Sequence, residues 1–132
     1  MNSHYPRIAE RALHRCEYCR APEVAFNIAF EVEHIHPSSA GGLDEDDNLA
    51  LCCRHCNLHK SDHTAGSDPS TGEEACLFNP RLDRWEDHFA VELDSSVAAK
   101  TPIGRATVER LRMNSDRQII ARRKWSLLRL FP

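Results

Sequence analysis

The sequence predicts a small α+β domain, built from two short strands and a helix beside bound metal, with more helices at the C-terminal end. The apolar, β-branched segment Ala25–Ile35 is followed by turn residues, by a second apolar run, Leu49–Leu51, and by a helical segment, Arg54–Asp62. Two C-x-x-C pairs, Cys16–Cys19 and Cys53–Cys56, flank the two apolar runs. A C-x-x-C turn presents two thiolates on one side of a bend, which suits tetrahedral zinc.

Length and composition favour one domain in the cytoplasm. The chain has 132 residues, enough for a modest core of its own. It contains no apolar run long enough to span a membrane, and its first residues lack the apolar core of a signal peptide. Six cysteines and eight histidines in such a short chain favour metal binding over disulfides in a reducing compartment.

The charge distribution is uneven, although the formal net charge is only −3. Eight basic and two acidic residues fall between Arg105 and Pro132, so this segment carries +6. A basic tail on an acidic body suits contact with phosphates. It equally suits a solvated helix face that docks on the acidic part of its own domain. The sequence does not decide between the two.

Turn and helix signals divide the chain into three parts. Residues 1–64 form the expected core, with a first helix from Pro6 to about Arg15. Residues 65–75 are rich in Gly, Ser, Pro and Thr, which predicts a flexible surface loop. Residues 76–132 form a C-terminal extension that we expect to pack on the core within the same domain.

The extension contains signals for one short strand and two helices. A turn through Trp85 precedes an alternating segment after His88, which predicts a strand. Thr101-Pro102 predicts the start of a helix that runs to Asn114. Ser115 has the character of an N-cap for a last helix.

The two C-x-x-C pairs supply the four thiolates of a closed structural zinc site: Cys16, Cys19, Cys53 and Cys56. The 33 residues between the pairs exceed the spacing of a compact zinc finger. A two-stranded hairpin in that gap explains the length, and zinc would then clamp the first helix to the base of the hairpin. Cys52 is an alternative to Cys53 if the register slips, and Cys76 is spare.

The centre of the chain resembles the HNH endonuclease motif. The resemblance rests on Glu33-His34-Ile35, Pro37, Gly41-Gly42, Asn48-Leu49, Cys53, Cys56-Asn57 and Lys60. It implies a ββα-metal, treble-clef-like core, and several relatives carry a four-cysteine zinc clamp in this layout. The final position is Asn57 rather than His, which makes this an His-Asn-Asn variant.

The resemblance also implies roles for individual side chains. His34 would be the general base, while Glu33 and Asn57 would hold a divalent ion. Asn48 would brace the loop and orient the histidine. Carboxylate and amide oxygens favour Mg²⁺ or Mn²⁺. Lys60 lies three residues beyond Asn57 on the same helix face, where we expect it either to hold a phosphate or to be an ordinary surface lysine.

The leading hypothesis is therefore a metal-dependent endonuclease acting on DNA, with RNA left open as a substrate and no membrane partner. The alternative is a zinc-stapled nucleic-acid-binding module with a catalytically weak site. A third interpretation makes the basic C-terminal helices an interface for a protein partner or a second copy of the chain.

Overall fold

Three two-stranded antiparallel sheets and five α-helices form residues 2–132, the part of the chain that this computed structural model describes. The helices are α1 (Tyr5–Arg11), α2 (Arg54–Lys60), α3 (Trp85–His88), α4 (Pro102–Arg110) and α5 (Asp116–Leu127). The strands are β1 (Glu31–His34), β2 (Leu49–Cys52), β3 (Ala65–Ser67), β4 (Glu74–Cys76), β5 (Phe89–Val91) and β6 (Val97–Ala99). None of these helices combines the length and apolar character that a bilayer crossing requires.

The predicted strand–loop–strand–helix unit is confirmed as β1, β2 and α2. The two strands pair antiparallel, with Glu31 opposite Cys52 and His34 opposite Leu49. Every residue of β2 is buried. Cys53 then caps α2, because its sulfur accepts a hydrogen bond from the backbone N–H of Cys56. The α+β class and the ββα-metal core follow from this unit and the cysteine cluster described below.

Two boundaries in the first part of the chain differ from the predictions. The first helix ends at Arg11 rather than near Arg15, because Leu13 and His14 both adopt a left-handed backbone with φ of 55°. Within Ala25–Ile35 only β1 is a strand, and the segment before it begins with a 3₁₀ turn, Glu23–Ala25.

The segment expected as a loop, residues 65–75, instead forms most of the β3–β4 hairpin. Asp68 closes the turn of this hairpin by accepting hydrogen bonds from backbone N–H groups, including that of Ser70. Its carboxylate also receives two bonds of 2.9 Å from Arg105 of α4. The hairpin therefore gains order from a helix that lies far along the chain, which local composition does not reveal.

The predicted elements of the extension are present, with shorter bounds for α4. Thr101 caps α4 by accepting a hydrogen bond from the N–H of Gly104. The helix ends at Arg110 rather than Asn114 because Arg112 takes a left-handed conformation with φ of 50°. Ser115 caps α5 as expected, accepting from the N–H of Gln118.

One apolar core joins the first and last parts of the chain. Ile8, Tyr18 and Leu51 are buried in the same cluster as Phe78, Phe89, Met113 and Trp125. Polar contacts cross the same boundary: Trp85 Nε1 donates to the carbonyl of Tyr18 at 2.8 Å, and Arg81 pairs with Glu17. The extension therefore covers the surface of the knuckle, Cys16–Cys19, from which two zinc ligands come.

Candidate metal centre and nuclease site

The four predicted zinc ligands, Cys16, Cys19, Cys53 and Cys56, form one cluster. Their sulfurs all lie within 4.8 Å of one another. All four residues are buried. Cys19 Sγ lies 3.7 Å from Cys53 Sγ, and four Zn–S bonds of about 2.3 Å in a tetrahedron place their sulfurs about 3.8 Å apart. The site therefore fits a closed structural zinc ion.

The remaining cysteines lie outside this cluster. Cys52 is buried at the end of β2 and is not one of the four clustered residues, so the alternative register is excluded. Burial raises the pKa of its thiol, as does the hydrogen bond that this thiol donates to Cys16. Cys76 is exposed on β4.

Local folding explains why the two cysteine pairs meet. Arg20 has a left-handed backbone, with φ of 67°, and the N–H of Cys16 bonds the carbonyl of Ala21 at 2.9 Å, which closes the knuckle. The knuckle attaches to β2 through Glu17, whose N–H donates to Leu51 O at 2.9 Å and whose carboxylate accepts from Leu51 N at 2.8 Å. Since β2 leads directly into α2, the cysteine pair at the start of α2 lies next to the pair in the knuckle.

An open cleft of about 560 Å³ lies beside the end of β1 and along α2. Glu33, His34 and Asn57 all line it. Three of the sequence-predicted site residues therefore meet at one surface. Asn48 and Lys60 do not line this cleft.

His34 is the last residue of β1, and its side chain is 30% exposed. Its Nε2 lies 3.3 Å from Oδ1 of Asp44, which belongs to the acidic loop between the two strands. The other oxygen of Asp44 is 2.9 Å from His4 Nε2. Hydrogen bonding to His4 lowers the pKa of Asp44, and His34 adds to this effect. Asp44 therefore favours the anionic form beside the imidazole.

Asn48 connects the two sides of this loop. Its amide oxygen accepts from His36 N at 2.9 Å, while its Nδ2 donates to His36 O at 3.0 Å and to Leu43 O at 2.8 Å. Gly42 packs against the same backbone, because a Cβ at this position would lie 1.8 Å from His36 O. These contacts fix the chain between His34 and Asp44.

Glu33 is buried beneath the hairpin. One oxygen accepts from the Tyr18 hydroxyl, and the other lies 3.1 Å from Lys60 Nζ. Burial raises the pKa of Glu33, although the charge of Lys60 and the bonds from both partners oppose this rise. The Glu33 carboxylate thus links the knuckle, β1 and α2.

Lys60 does not occupy the surface position that we expected for a phosphate contact. It is only 1% exposed, and its ammonium also donates to Ile35 O at 3.1 Å. The helical spacing that places Lys60 on the face of Asn57 is correct. That face packs against β1, so the ammonium meets Glu33 and carbonyl groups rather than solvent.

Asn57 contacts a carboxylate that sequence analysis did not select. Its Nδ2 donates to Oε2 of Glu31, while Arg54 lies 3.4 Å from Oε1. Glu31 and Glu33 share the face of β1 that meets α2, because side chains two residues apart in a strand point the same way. The two-residue repeat of a strand could therefore have identified Glu31 from the sequence, once Glu33 was selected. Asp44 had no comparable signal, since four successive acids in a loop resemble a solvated run.

Comparison with known proteins agrees with this geometry. Residues 16–63 match the family model described as HNH endonuclease. The match begins at the first zinc ligand and ends just after α2. Neither the curated proteins nor the solved structures provide a match to the chain. Residues 16–63 are therefore similar to the HNH endonuclease family, and the four-cysteine cluster fits the zinc-stapled form of that family.

Proposed function

We propose that this chain is a metal-dependent HNH endonuclease that hydrolyses phosphodiester bonds in DNA, with His34 as general base. The observation that carries the proposal is the shared cleft, which His34, Glu33 and Asn57 all line. The family match to residues 16–63 supports a nuclease over other uses of this cleft.

The surroundings of His34 suit a base. A carboxylate against one imidazole nitrogen orients the ring and stabilises the imidazolium that forms on proton transfer. Asp44 lies in that position relative to Nε2. A neutral ring that donates from Nε2 to Asp44 keeps the lone pair of Nδ1 to take a proton from water.

Glu33 and Asn57 are the proposed ligands of the catalytic Mg²⁺ or Mn²⁺ ion. Each oxygen of Glu33 already accepts one hydrogen bond, and a carboxylate oxygen has a second lone pair for ligation. Glu31, in contact with Asn57, adds a further oxygen donor beside them. A divalent ion held there supplies charge stabilisation for the phosphoryl and leaving oxygens.

The C-terminal basic residues support contact with nucleic acid. Six of the eight basic side chains in this segment are exposed: Arg110, Arg112, Arg117, Arg123, Lys124 and Arg129. Of the others, Arg105 binds Asp68 and Arg122 is buried. Exposed cations on α5 favour phosphate contact over docking on the acidic body, and such binding weakens steeply with salt. A protein partner or a second copy of the chain would compete for the same surface.

The second candidate is a zinc-stapled nucleic-acid-binding module. One observation favours it: both oxygens of Glu33 are engaged by Tyr18 and Lys60 in a buried position. A carboxylate held in this way would leave the divalent site weak, while the zinc centre and the exposed cations would still bind nucleic acid.

Cleavage of supercoiled plasmid tests the proposal, with wild type, His34→Ala and His63→Ala in Mg²⁺, Mn²⁺ or EDTA. His63 is an exposed histidine that does not line the cleft, so it controls for loss of an imidazole. Zinc content and circular dichroism establish that each protein is folded. We expect metal-dependent cutting that falls about 10²- to 10⁴-fold in His34→Ala only.

Other outcomes separate the two candidates. A wild type that binds plasmid and cuts it in none of these metals supports the binding module. A His34→Ala protein that cuts as fast as wild type removes His34 from the role of base.

A further inference from the structure

Arg122 of α5 is the largest fully buried side chain in the described part of the chain. Its two terminal nitrogens donate to Ser95 O at 2.6 Å and to Met113 O at 2.8 Å. Its Nε is buried without a hydrogen-bond partner. Unlike Arg105, which binds Asp68, Arg122 makes no ion pair with a carboxylate of residues 2–132.

This arrangement is costly unless a negative charge lies nearby. A guanidinium does not deprotonate in proteins, and a buried charge without a counter-charge strongly destabilises a fold. Two carbonyl acceptors compensate only part of the lost hydration. The fold therefore requires a source of negative potential close to Arg122.

The face of the Phe131 ring, whose centroid lies 5.9 Å from Arg122 Cζ, is one such source, and the zinc cysteines are the charged one. Burial lowers the pKa of Arg122, while the charges of Cys19 and Cys56 raise it. The backbone that receives Arg122 also touches the zinc-binding helix. His55, which lies between Cys53 and Cys56, bonds Leu111 O at 2.9 Å and Arg112 O at 3.1 Å. Arg122 binds the next carbonyl along, that of Met113.

Four thiolates around one Zn²⁺ ion leave two negative charges in a buried centre. We propose that Arg122 is the electrostatic partner of this zinc–thiolate centre, so that zinc binding and the docking of α5 stabilise each other. The proposal does not depend on nuclease activity.

The surface of α5 agrees with this assignment. Ile120 and Leu127 are exposed, and Trp125 is the buried apolar anchor of the helix. Few apolar contacts therefore hold α5 in place, and a charged side chain in its centre points inward. An attraction between Arg122 and the metal centre explains how a helix of this composition docks.

The first test measures zinc affinity by competition with a chromogenic chelator for wild type, Arg122→Met, Arg122→Lys and Arg123→Met. Arg123 is the exposed neighbour on the same helix and is the matched control. Partners outside the ligand shell typically change metal affinity about 10- to 100-fold when removed. We expect a loss of that size in Arg122→Met, little change in Arg123→Met, and most of the affinity kept in Arg122→Lys.

A second test separates charge from packing. Cys19→His replaces one thiolate with a neutral imidazole, which lowers the negative charge of the centre by one unit. We expect Arg122→Met to reduce zinc affinity by a smaller factor in the Cys19→His background than in wild type. Equal factors in the two backgrounds would overturn the proposal.

Two further results would also overturn it. One is an Arg122→Met protein that holds zinc as tightly as wild type. The other is an Arg122→Lys protein that loses affinity as much as Arg122→Met, since hydrogen-bond geometry would then be the cause. If Arg122→Met does not fold, Arg122→Lys decides alone: affinity close to wild type supports the proposal, and a loss of tenfold or more overturns it.

Discussion

The Glu33–Lys60 ion pair is a buried contact that joins β1 to α2. Both side chains are almost fully buried. Buried pairs stabilise little relative to apolar replacements, but removing only one partner is strongly destabilising because the other charge remains buried. The pair therefore makes the position of Glu33 dependent on Lys60.

Lys60→Met should destabilise the protein by about 3–5 kcal/mol at neutral pH, measured by urea unfolding of the zinc-loaded protein. Burial already raises the pKa of Glu33, and loss of Lys60 raises it further. A carboxyl group whose pKa is higher in the folded than in the unfolded state destabilises the folded protein when it is ionised. The free energy of unfolding therefore falls as the pH rises through the folded-state pKa. The destabilisation should therefore shrink toward acidic pH.

The control for this prediction is the double variant Glu33→Gln with Lys60→Met. It contains neither charge and should recover part of the lost stability at neutral pH. A single Lys60→Met variant that is as stable as wild type at neutral pH, with unchanged unfolding cooperativity, would contradict the prediction.

The loop between β1 and β2 is the element that brings Asp44 to His34. The side chain of Asn48 forms hydrogen bonds with the loop backbone at His36 and at Leu43. Gly42 allows the chain to pass close to His36 O. Only glycine can occupy that position without moving the loop, because a Cβ would overlap the carbonyl oxygen. The orientation of the proposed base thus depends on a residue that has no chemistry of its own.

Gly42→Ala should reduce plasmid cleavage about tenfold or more while zinc content stays unchanged, since displacement of Asp44 removes the orienting contact to His34. Gly72→Ala is the control for a strained substitution far from the site: its φ of 75° is left-handed, its added Cβ meets nothing within 4 Å, and it lies in the β3–β4 turn. Equal cleavage by wild type and Gly42→Ala would show that the loop position is not required.

At the scale of the whole molecule, the extension and the zinc-binding segment share one core. Phe78, Trp85 and Phe89 pack in the same cluster as Tyr18 and the cysteines. Removal of the extension therefore exposes apolar surface around the knuckle as well as breaking the Arg81–Glu17 pair. The family match covers only residues 16–63, but the stability of that segment depends on residues beyond it.

A fragment of residues 1–75 should melt well below the intact protein when both are zinc-loaded, and its unfolding should be less cooperative. Thermal unfolding followed by circular dichroism measures this, with metal content determined for both proteins so that zinc loss does not explain the difference. A fragment with the melting temperature and cooperativity of the full chain would show that the extension does not support the core.

Sequence analysis succeeded where the chemistry of a residue is tied to a local pattern. The two C-x-x-C pairs identified four ligands that meet in the structure, and Ser115 and Thr101 identified the starts of α5 and α4. It failed where the structure of a segment or the burial of a side chain depends on contacts with residues far along the chain. The β3–β4 hairpin depends on Arg105, and the burial of Lys60 depends on Glu33 across the helix–hairpin interface.

The same limit applies to the candidate site. His34 and Asn57 were selected from a resemblance, and the structure places both at one cleft. Asp44 and Arg122 gave no local signal, since one lies in an acidic run and the other in a basic one. Their partners are defined only by the fold, through contacts between segments that are far apart in the chain.

The exposure of the six cysteines gives the molecule a built-in labelling site. Cys76 is the only exposed thiol among residues 2–132, and the other five are buried. A maleimide dye added to the native protein should therefore attach at one position, on the β3–β4 hairpin, without a cysteine-free variant. Four of the buried thiols belong to the zinc cluster. A molecule that has lost its metal should therefore take up more than one dye, so the dye-to-protein ratio reports the fraction of molecules without zinc.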